Sequence, residues 1–461
     1  MGLLILIAFI FPKNGIKITK NFSLRFFSIQ DILSLNVENQ RALEILNINT
    51  DTAIIIQPKR TPENATRYWH ISLPGKLIYP ENNPRALEKL FSLFKRLAEK
   101  PTSTGDSIFH ILHYGDSQIE GDRISGYLRH RLQALFGGSG AGLIPAVQPI
   151  SARNVKQSAS ENWIRYTLFG PREQRAPDNL YGVLLSKCTY KGDTASIILN
   201  RSSSGYPGVK SLQKIRIFLK PADSLCEVKI KGKNEYKHIL RKDAQMVGQI
   251  IDQTVNWGEH GLEINFNGAP PEIFAIELQG EKGIQVDNLP MRGASGTFFS
   301  ANHTPLFKEH LKTLNVRLFI LEFGGNILPH IETEKQVTNY AATMEKQFKY
   351  LMKCAPEASL IVIGPSDMAV KIGGVLNTHP WLEKVRHALR SATLNAGGVF
   401  WDMYEAMGGR GSMILWVNAT PPLASQDYIH FTSAGAEKIA GMFTSALIED
   451  FNRWNAMLSR P

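Results

Sequence analysis

The chain has 461 residues, 43% hydrophobic and 20% charged, which excludes a disordered polymer and leaves room for two or three domains with an ample core. Its formal net charge of +11 suits an anionic glycan, a membrane surface or nucleic acid. The basic residues are scattered, however, and no Lys/Arg block is interleaved with aromatics, so a nucleic-acid groove is not expected. Cys188, Cys226 and Cys354 are too few and too separated for a disulfide framework or a zinc site. They leave room for one Cys188–Cys226 bridge, with Cys354 packing at a helix end.

The first element is the apolar run Leu3–Phe11, nine residues long. Spanning a bilayer takes about 20. The run reads as the apolar region of an atypical or clipped export signal, or as a membrane anchor, although no Lys or Arg precedes it. A buried N-terminal strand is the plain alternative. Residues 1–15 are set apart on this ground, and export to the periplasm or cell envelope is expected. Residues 16–105 are helical or irregular, with one clear amphipathic helix at Ala86–Lys100 that puts Leu87, Leu90, Leu93 and Leu97 on one side.

From residue 106 the pattern sharpens. Ile108, Phe109, Ile111 and Leu112 form a short apolar run suited to a buried strand. Ile124, Tyr127 or Leu128, Leu132, Leu135 and Phe136 follow at helical spacing, and Gly137-Gly138 stops the helix. Gly115-Asp116-Ser117 lies between them. Ser117 therefore stands where a strand turns into a helix, exposed at the carboxyl end of a sheet and close to a helix N-terminus that favours negative charge. Asp116 and Asp122 are assigned to turn and helix-start duties.

Between 151 and 284 the helical period disappears. Alternating runs take over, with Ile215, Ile217 and Leu219, then Val228 and Ile230, Leu262, Ile264 and Phe266, and Phe274, Ile276 and Leu278, punctuated by Gly, Pro and Asn. This is the pattern of a β-sandwich or jelly roll. Trp163, Tyr206 and Trp257 are its candidate sugar-stacking rings, core packing being the competing use of each.

After 285 the α/β pattern returns. Val316–Phe323 is a continuous apolar run, as in a parallel strand buried on both faces. A helix is expected over Thr333–Cys354, a strand over Leu360–Ile363, a helix over Trp381–Asn395, a strand over Val399–Trp401 and a last helix over Ser433–Phe451. Residues 106–150 and 285–455 thus read as one doubly wound α/β domain interrupted by an inserted β module at 151–284.

A nucleophilic serine needs a base, and the base an orienting acceptor. Asp427 and His430 lie three residues apart in the loop feeding the last helix, with Thr432 or Ser433 as its N-cap. Acyl transfer also needs donors for the oxyanion. Gly324-Gly325-Asn326 follows the strand at 316–323, and Arg292-Gly293-Ala294-Ser295-Gly296 offers a turn with free backbone N–H groups. No Gly-x-Ser-x-Gly elbow is present, since Ile119 follows Gln118, which disfavours an ordinary α/β-hydrolase.

Taken in order, Gly115-Asp116-Ser117, the turn ending at Gly296, Gly324-x-Asn326 and Asp427-x-x-His430 resemble the SGNH (GDSL) hydrolase family. HYGDSQIEGDRIS and DYIHFTSAG resemble its peptidoglycan O-acetylesterase branch, whose members carry an inserted carbohydrate-binding-type β module. The resemblance implies a flavodoxin-like domain and a Ser117–His430–Asp427 triad. It also implies an oxyanion hole of Ser117, Gly296 and Asn326, with Gly293 as the alternative to Gly296. No metal or organic cofactor is required. The implied substrate is an O-acetylated cell-wall or extracellular polysaccharide, hydrolysed through an acyl-enzyme. Acetyl transfer to a sugar hydroxyl and a non-catalytic glycan-binding surface protein are the rival functions.

Overall fold

The computed structural model describes residues 75–99, 107–243 and 247–458, with short segments at 16–19, 22–24 and 44–46. The Leu3–Phe11 run lies outside the described residues. Among those described, no helix is long and apolar enough to cross a membrane.

The fold is mixed α/β with a β-rich module. Its central sheet contains β1 (Leu77–Ile78), β2 (Ile108–Gly115), β3 (Gly283–Pro290), β4 (Val316–Glu322), β5 (Ser359–Ile363) and β6 (Val399–Trp401), in the spatial order β3-β2-β4-β5-β6-β1. Neighbours are parallel except β1, which lies antiparallel to β6 at the edge. The strands are mostly apolar because both faces are covered, although His110, His113, Gln285 and Asp287 are buried among them. Phe109, Ile111, Leu318, Ile320, Ile361 and Ile363 pack with α1 (Glu88–Glu99), α2 (Arg123–Phe136) and α6 (Ser433–Leu458). The alternate residues Leu112, Tyr114, Phe319, Leu321, Leu360 and Val362 pack with α3 (Thr304–Thr313), α4 (Glu334–Cys354) and α5 (Leu382–Asn395). Period-two alternation sends neighbouring residues to opposite faces. The small edge strand β1 had no sequence signal, being only two residues long.

The module has two antiparallel sheets. One runs Gln249–Thr254, Lys214–Lys220, Glu272–Gln279, Ser186–Tyr190, Trp163–Thr167, with Gly142–Ile144 added onto Glu272–Gln279. The other runs Glu235–Leu240, Cys226–Lys231, Leu262–Gly268, Thr194–Arg201, Val155–Ala159. Ile215, Ile217, Leu219, Val228, Ile230, Ile264, Phe266, Ile276 and Leu278 share the core between them. Phe274, expected on the same face as Ile276, instead joins Phe218 in the core of the α/β domain. A register shift between Phe218 and Leu219 accounts for this, because an extra residue re-aims the side chains on one side of it. The middle of the first sheet is therefore buried on both faces, one against its partner sheet and one against the α/β domain.

Cys188 and Cys226 are buried free thiols, not a bridge. They belong to different sheets, and the Tyr190 hydroxyl lies 3.7 Å from the Cys226 sulfur. Cys354 is the last residue of α4 and is buried, as expected of a packing residue.

A buried ionic chain ties the module to the central sheet. Arg216 donates from Nε to Glu277 at 2.7 Å, His110 Nε2 stands 3.1 Å from Glu277, and His110 Nδ1 lies 2.6 Å from Asp287. Burial alone would lower the His110 pKa, but Asp287 and Glu277 overcome it and raise the value to about 9. A group raised in the folded state contributes stability that is whole below its unfolded pKa of about 6.5 and is lost as pH rises through its folded value. Urea unfolding is therefore expected to show stability falling between pH 6.5 and about 9.5. The fall should be absent in His110→Gln, which is neutral throughout, and an equal fall in that variant would refute the assignment.

Candidate active site

Three adjacent parallel strands, β3, β2 and β4, deliver the candidate residues. Ser117 follows the carboxyl end of β2, the Met291–Gly296 turn follows β3, and Asn326 follows β4. The chain leaves β2 through α2 on one face and leaves β3 through α3 on the other, so the connections part at β2. A crevice at such a point is where open α/β sheets bind ligands.

The α-helix after Ser117 begins where the apolar spacing from Ile124 places it, but Ser117 does not stand at its N-terminus as expected. Residues Ser117–Asp122 form a 3₁₀ segment kinked at Glu120 and Gly121, the latter at φ +69, and α2 begins at Arg123. Ser117 is therefore a turn removed from the α-helix N-terminus. Asp116 caps this segment, its Oδ1 accepting from the Gln118 N–H at 2.9 Å. Asp122 makes no side-chain cap. Its buried carboxylate instead accepts two bonds from Arg129, at 2.7 and 2.8 Å.

Ser117 Oγ lies 2.8 Å from His430 Nε2, and His430 Nδ1 lies 2.7 Å from Asp427 Oδ2. The second carboxylate oxygen of Asp427 accepts from the Ile429 and His430 N–H groups at 2.9 and 3.0 Å. Partial burial pushes the Asp427 pKa up, but those two N–H bonds and the imidazole more than offset it and hold the carboxyl below its usual range. The turn that allows this carries Tyr428 at φ +58, a conformation costly for a bulky residue. Its carbonyl accepts from the Ala369 N–H, which anchors it. Thr432 caps α6 by accepting from the Gly435 N–H at 3.2 Å.

Asn326 Nδ2 donates to Asp116 Oδ2 at 3.1 Å and to the Ala294 carbonyl at 3.2 Å. It thus ties the β4 loop both to the nucleophile turn and to the β3 turn. Burial raises the Asp116 pKa to about 7, with Glu322 and Glu120 adding to the rise and the Gln118 and Asn326 bonds opposing it. In the β3 turn, Gly296 has φ +79, and a Cβ there would meet Met344 and Phe323 at 2.9 Å. Gly293 has φ +73 and open space around it. Only Gly296 is packed into the fold. The Ser295 carbonyl accepts from the Tyr340 hydroxyl at 3.0 Å, and Arg292 pairs with Glu120 at 2.8 and 2.6 Å.

Two supporting residues escaped the sequence reading. Gln118 donates from Nε2 to the Ile429 carbonyl at 2.6 Å and accepts at Oε1 from the Phe431 N–H at 3.2 Å, clamping both neighbours of His430. Arg123 donates to the Phe431 carbonyl at 2.5 Å and to the Ser117 carbonyl at 3.3 Å. Their nearness to Ser117 was the only signal, because their partners in the His430 loop lie more than 300 positions away. Gln118→Ala is expected to lower kcat by about 10²-fold through misplacement of His430, with little change in KM. Steady-state kinetics on a small acetyl ester would check it, and an unchanged kcat would dismiss the clamp.

Each of the three rings proposed to stack sugars packs against neighbours, Trp163 and Tyr206 while partly exposed. Trp163 packs edge-on against Tyr190 and Phe266, and its Nε1 donates to the Ser196 carbonyl. Trp257 is buried and donates to the Lys210 carbonyl, while Tyr206 stacks on His130 of α2 at 4.5 Å. Among the described residues, no group of His, Cys, Asp and Glu is arranged to hold a metal ion.

No protein-family model and no curated protein matches the chain. Its structure is similar to a solved peptidoglycan O-acetylesterase, with TM-score 0.61 and 23% identity, covering 79% of this chain and 96% of that one. It also aligns with a salicylyl-acyltransferase from a tetracycline biosynthetic pathway at TM-score 0.28 and 11% identity, covering 64% of this chain and 94% of that one. The first likeness establishes the fold as one that an esterase uses.

Proposed function

We propose that this chain is a serine esterase of the SGNH (GDSL) type that removes O-acetyl groups from a cell-wall or extracellular polysaccharide. In this reading a doubly wound, flavodoxin-like domain (106–150 and 285–455) carries an inserted jelly-roll sandwich (151–284), and the protein works in the periplasm or envelope. The observation that carries it is the hydrogen-bonded relay from Ser117 through His430 to Asp427. A pocket of ≈ 130 Å³ beside it, lined by Asn326, Pro365, Met368, Met403 and His430, suits a short acyl group.

His430 Nε2 takes the Ser117 proton as Oγ attacks the acetyl carbonyl, and Asp427 fixes the imidazole tautomer and stabilises the imidazolium. The tetrahedral oxyanion is met by the Ser117 and Gly296 N–H groups and by Asn326, which exchanges its bond to Asp116 for one to the substrate. His430 then protonates the departing sugar oxygen as the C–O bond breaks, leaving the acetyl group on Ser117. Water, deprotonated by His430, repeats the attack and releases acetate.

The test is acetate release from p-nitrophenyl acetate and from O-acetylated peptidoglycan by the parent protein. Release from both, with preference for the polymer, is expected. Acetate recovered on an added sugar acceptor would reassign the protein as a transferase. Glycan retention without turnover of either ester would reassign it as a binding protein.

A further inference from the structure

A second, larger cavity of ≈ 330 Å³ lies where the β module meets the α/β domain. Its walls come from both parts. Leu143, Leu184 and Phe169 are apolar, whereas Glu120 and Arg292 belong to the nucleophile segment and to the turn after β3. The cavity therefore opens beside the stretch that carries Ser117, and its size is that of a pocket for a small ligand. Glu120 and Arg292 neutralise one another through their paired bonds.

Arg165, in the middle of the module strand Trp163–Thr167, is the exception to that balance. It lines the cavity, and its Nε is buried without a hydrogen-bond partner. Among the described residues no carboxylate pairs with it. Its guanidinium lies over the Phe169 ring at 5.7 Å. Burial depresses its pKa, and the one side chain that opposes the effect is the Cys188 thiol, not a carboxylate. Arg165 is half-buried, so its charge is partly stripped of water with no carboxylate to balance it, and an arriving anion supplies that balance. A planar guanidinium fork matches a carboxylate with two parallel bonds, and the apolar walls suit the C–H faces of a sugar.

We propose that this cleft is a subsite for a carboxylate-bearing sugar of the acetylated glycan, with the Arg165 guanidinium as the ligand for the carboxylate. The proposal rests on the esterase reading for the identity of its substrate. It makes the module part of substrate selection through the junction and not through the three aromatic rings.

The test compares two forms of one probe, O-acetylated peptidoglycan strands stripped of their peptides, with sugar carboxylates left free or converted to amides. The parent is expected to favour the carboxylate form by tenfold or more in kcat/KM, Arg165→Gln to bring the ratio near one, and Arg165→Lys to keep part of it. A parent ratio near one, or a ratio that survives Arg165→Gln, overturns the subsite and leaves the esterase standing. If the parent hydrolyses neither form, the esterase reading fails. Calorimetric binding of the two strands then decides the subsite alone, tighter carboxylate binding supporting it and equal binding ending it. Because Arg165 lines the contact between the two parts, Arg165→Gln is first checked for parent-like unfolding, and the Arg165→Lys ratio stands in if that variant does not fold.

Discussion

Ser117→Ala and His430→Ala are each expected to lower kcat on p-nitrophenyl acetate by about 10⁴-fold or more, and the double variant to be no worse than either single one. The two side chains act as one unit, since an imidazole with no hydroxyl to deprotonate and a hydroxyl with no base are equally idle. The residual rate is expected from the proposed oxyanion donors, which these changes leave in place. Asp427→Asn should cost less than either. The Asp427 side chain is 46% exposed, so water can partly replace the acceptor that orients His430 Nδ1. Ser117 and His430 contribute little to the core, and unfolding transitions should stay close to the parent's. A single variant within tenfold of the parent would show that the relay is not the catalytic apparatus.

Asp122→Ala is expected to destabilise the fold by about 3–5 kcal/mol, measured by urea unfolding, because it strands the Arg129 guanidinium inside the protein. The Arg129 side chain is 1% exposed and that of Asp122 2%. Arg129 Nε is held by the Val286 carbonyl of β3 at 2.6 Å, so the charge cannot swing out to water. The pair also fixes the start of α2 under the nucleophile segment. Arg129→Met added to Asp122→Ala should recover much of the loss, since an apolar pair of similar volume is often no less stable than a buried ion pair. A double variant as unstable as the single one would mean that packing at residue 122, and not the stranded charge, sets the cost.

The central strands were legible because a strand buried on both faces carries a run of apolar residues, as residues 318–321 and 360–363 do. Helix α4 was legible through its apolar face of Val337, Met344, Phe348 and Leu351, and the structure adds the Thr333–Gln336 capping box that fixes its start. The kinked 3₁₀ segment after Ser117 was not legible, because it arises from the bonds that Asp116, Gln118 and Arg123 make to distant segments. Strand Gly142–Ile144, grouped by sequence with the first α/β block, hydrogen-bonds to the module strand Glu272–Gln279, a pairing with no local mark.

The chain's local order alone determined most of the central strands and helices and singled out the candidate residues, because side-chain period and turns act within a few positions. Tertiary structure alone decided the rest. It brought Ser117 to His430 across 313 positions, gave Asn326 its partners, packed Trp163 against Tyr190 and left Arg165 Nε without a partner. Those outcomes depend on which groups share a dry interior, and burial at a contact between distant segments has no signature in the order of residues.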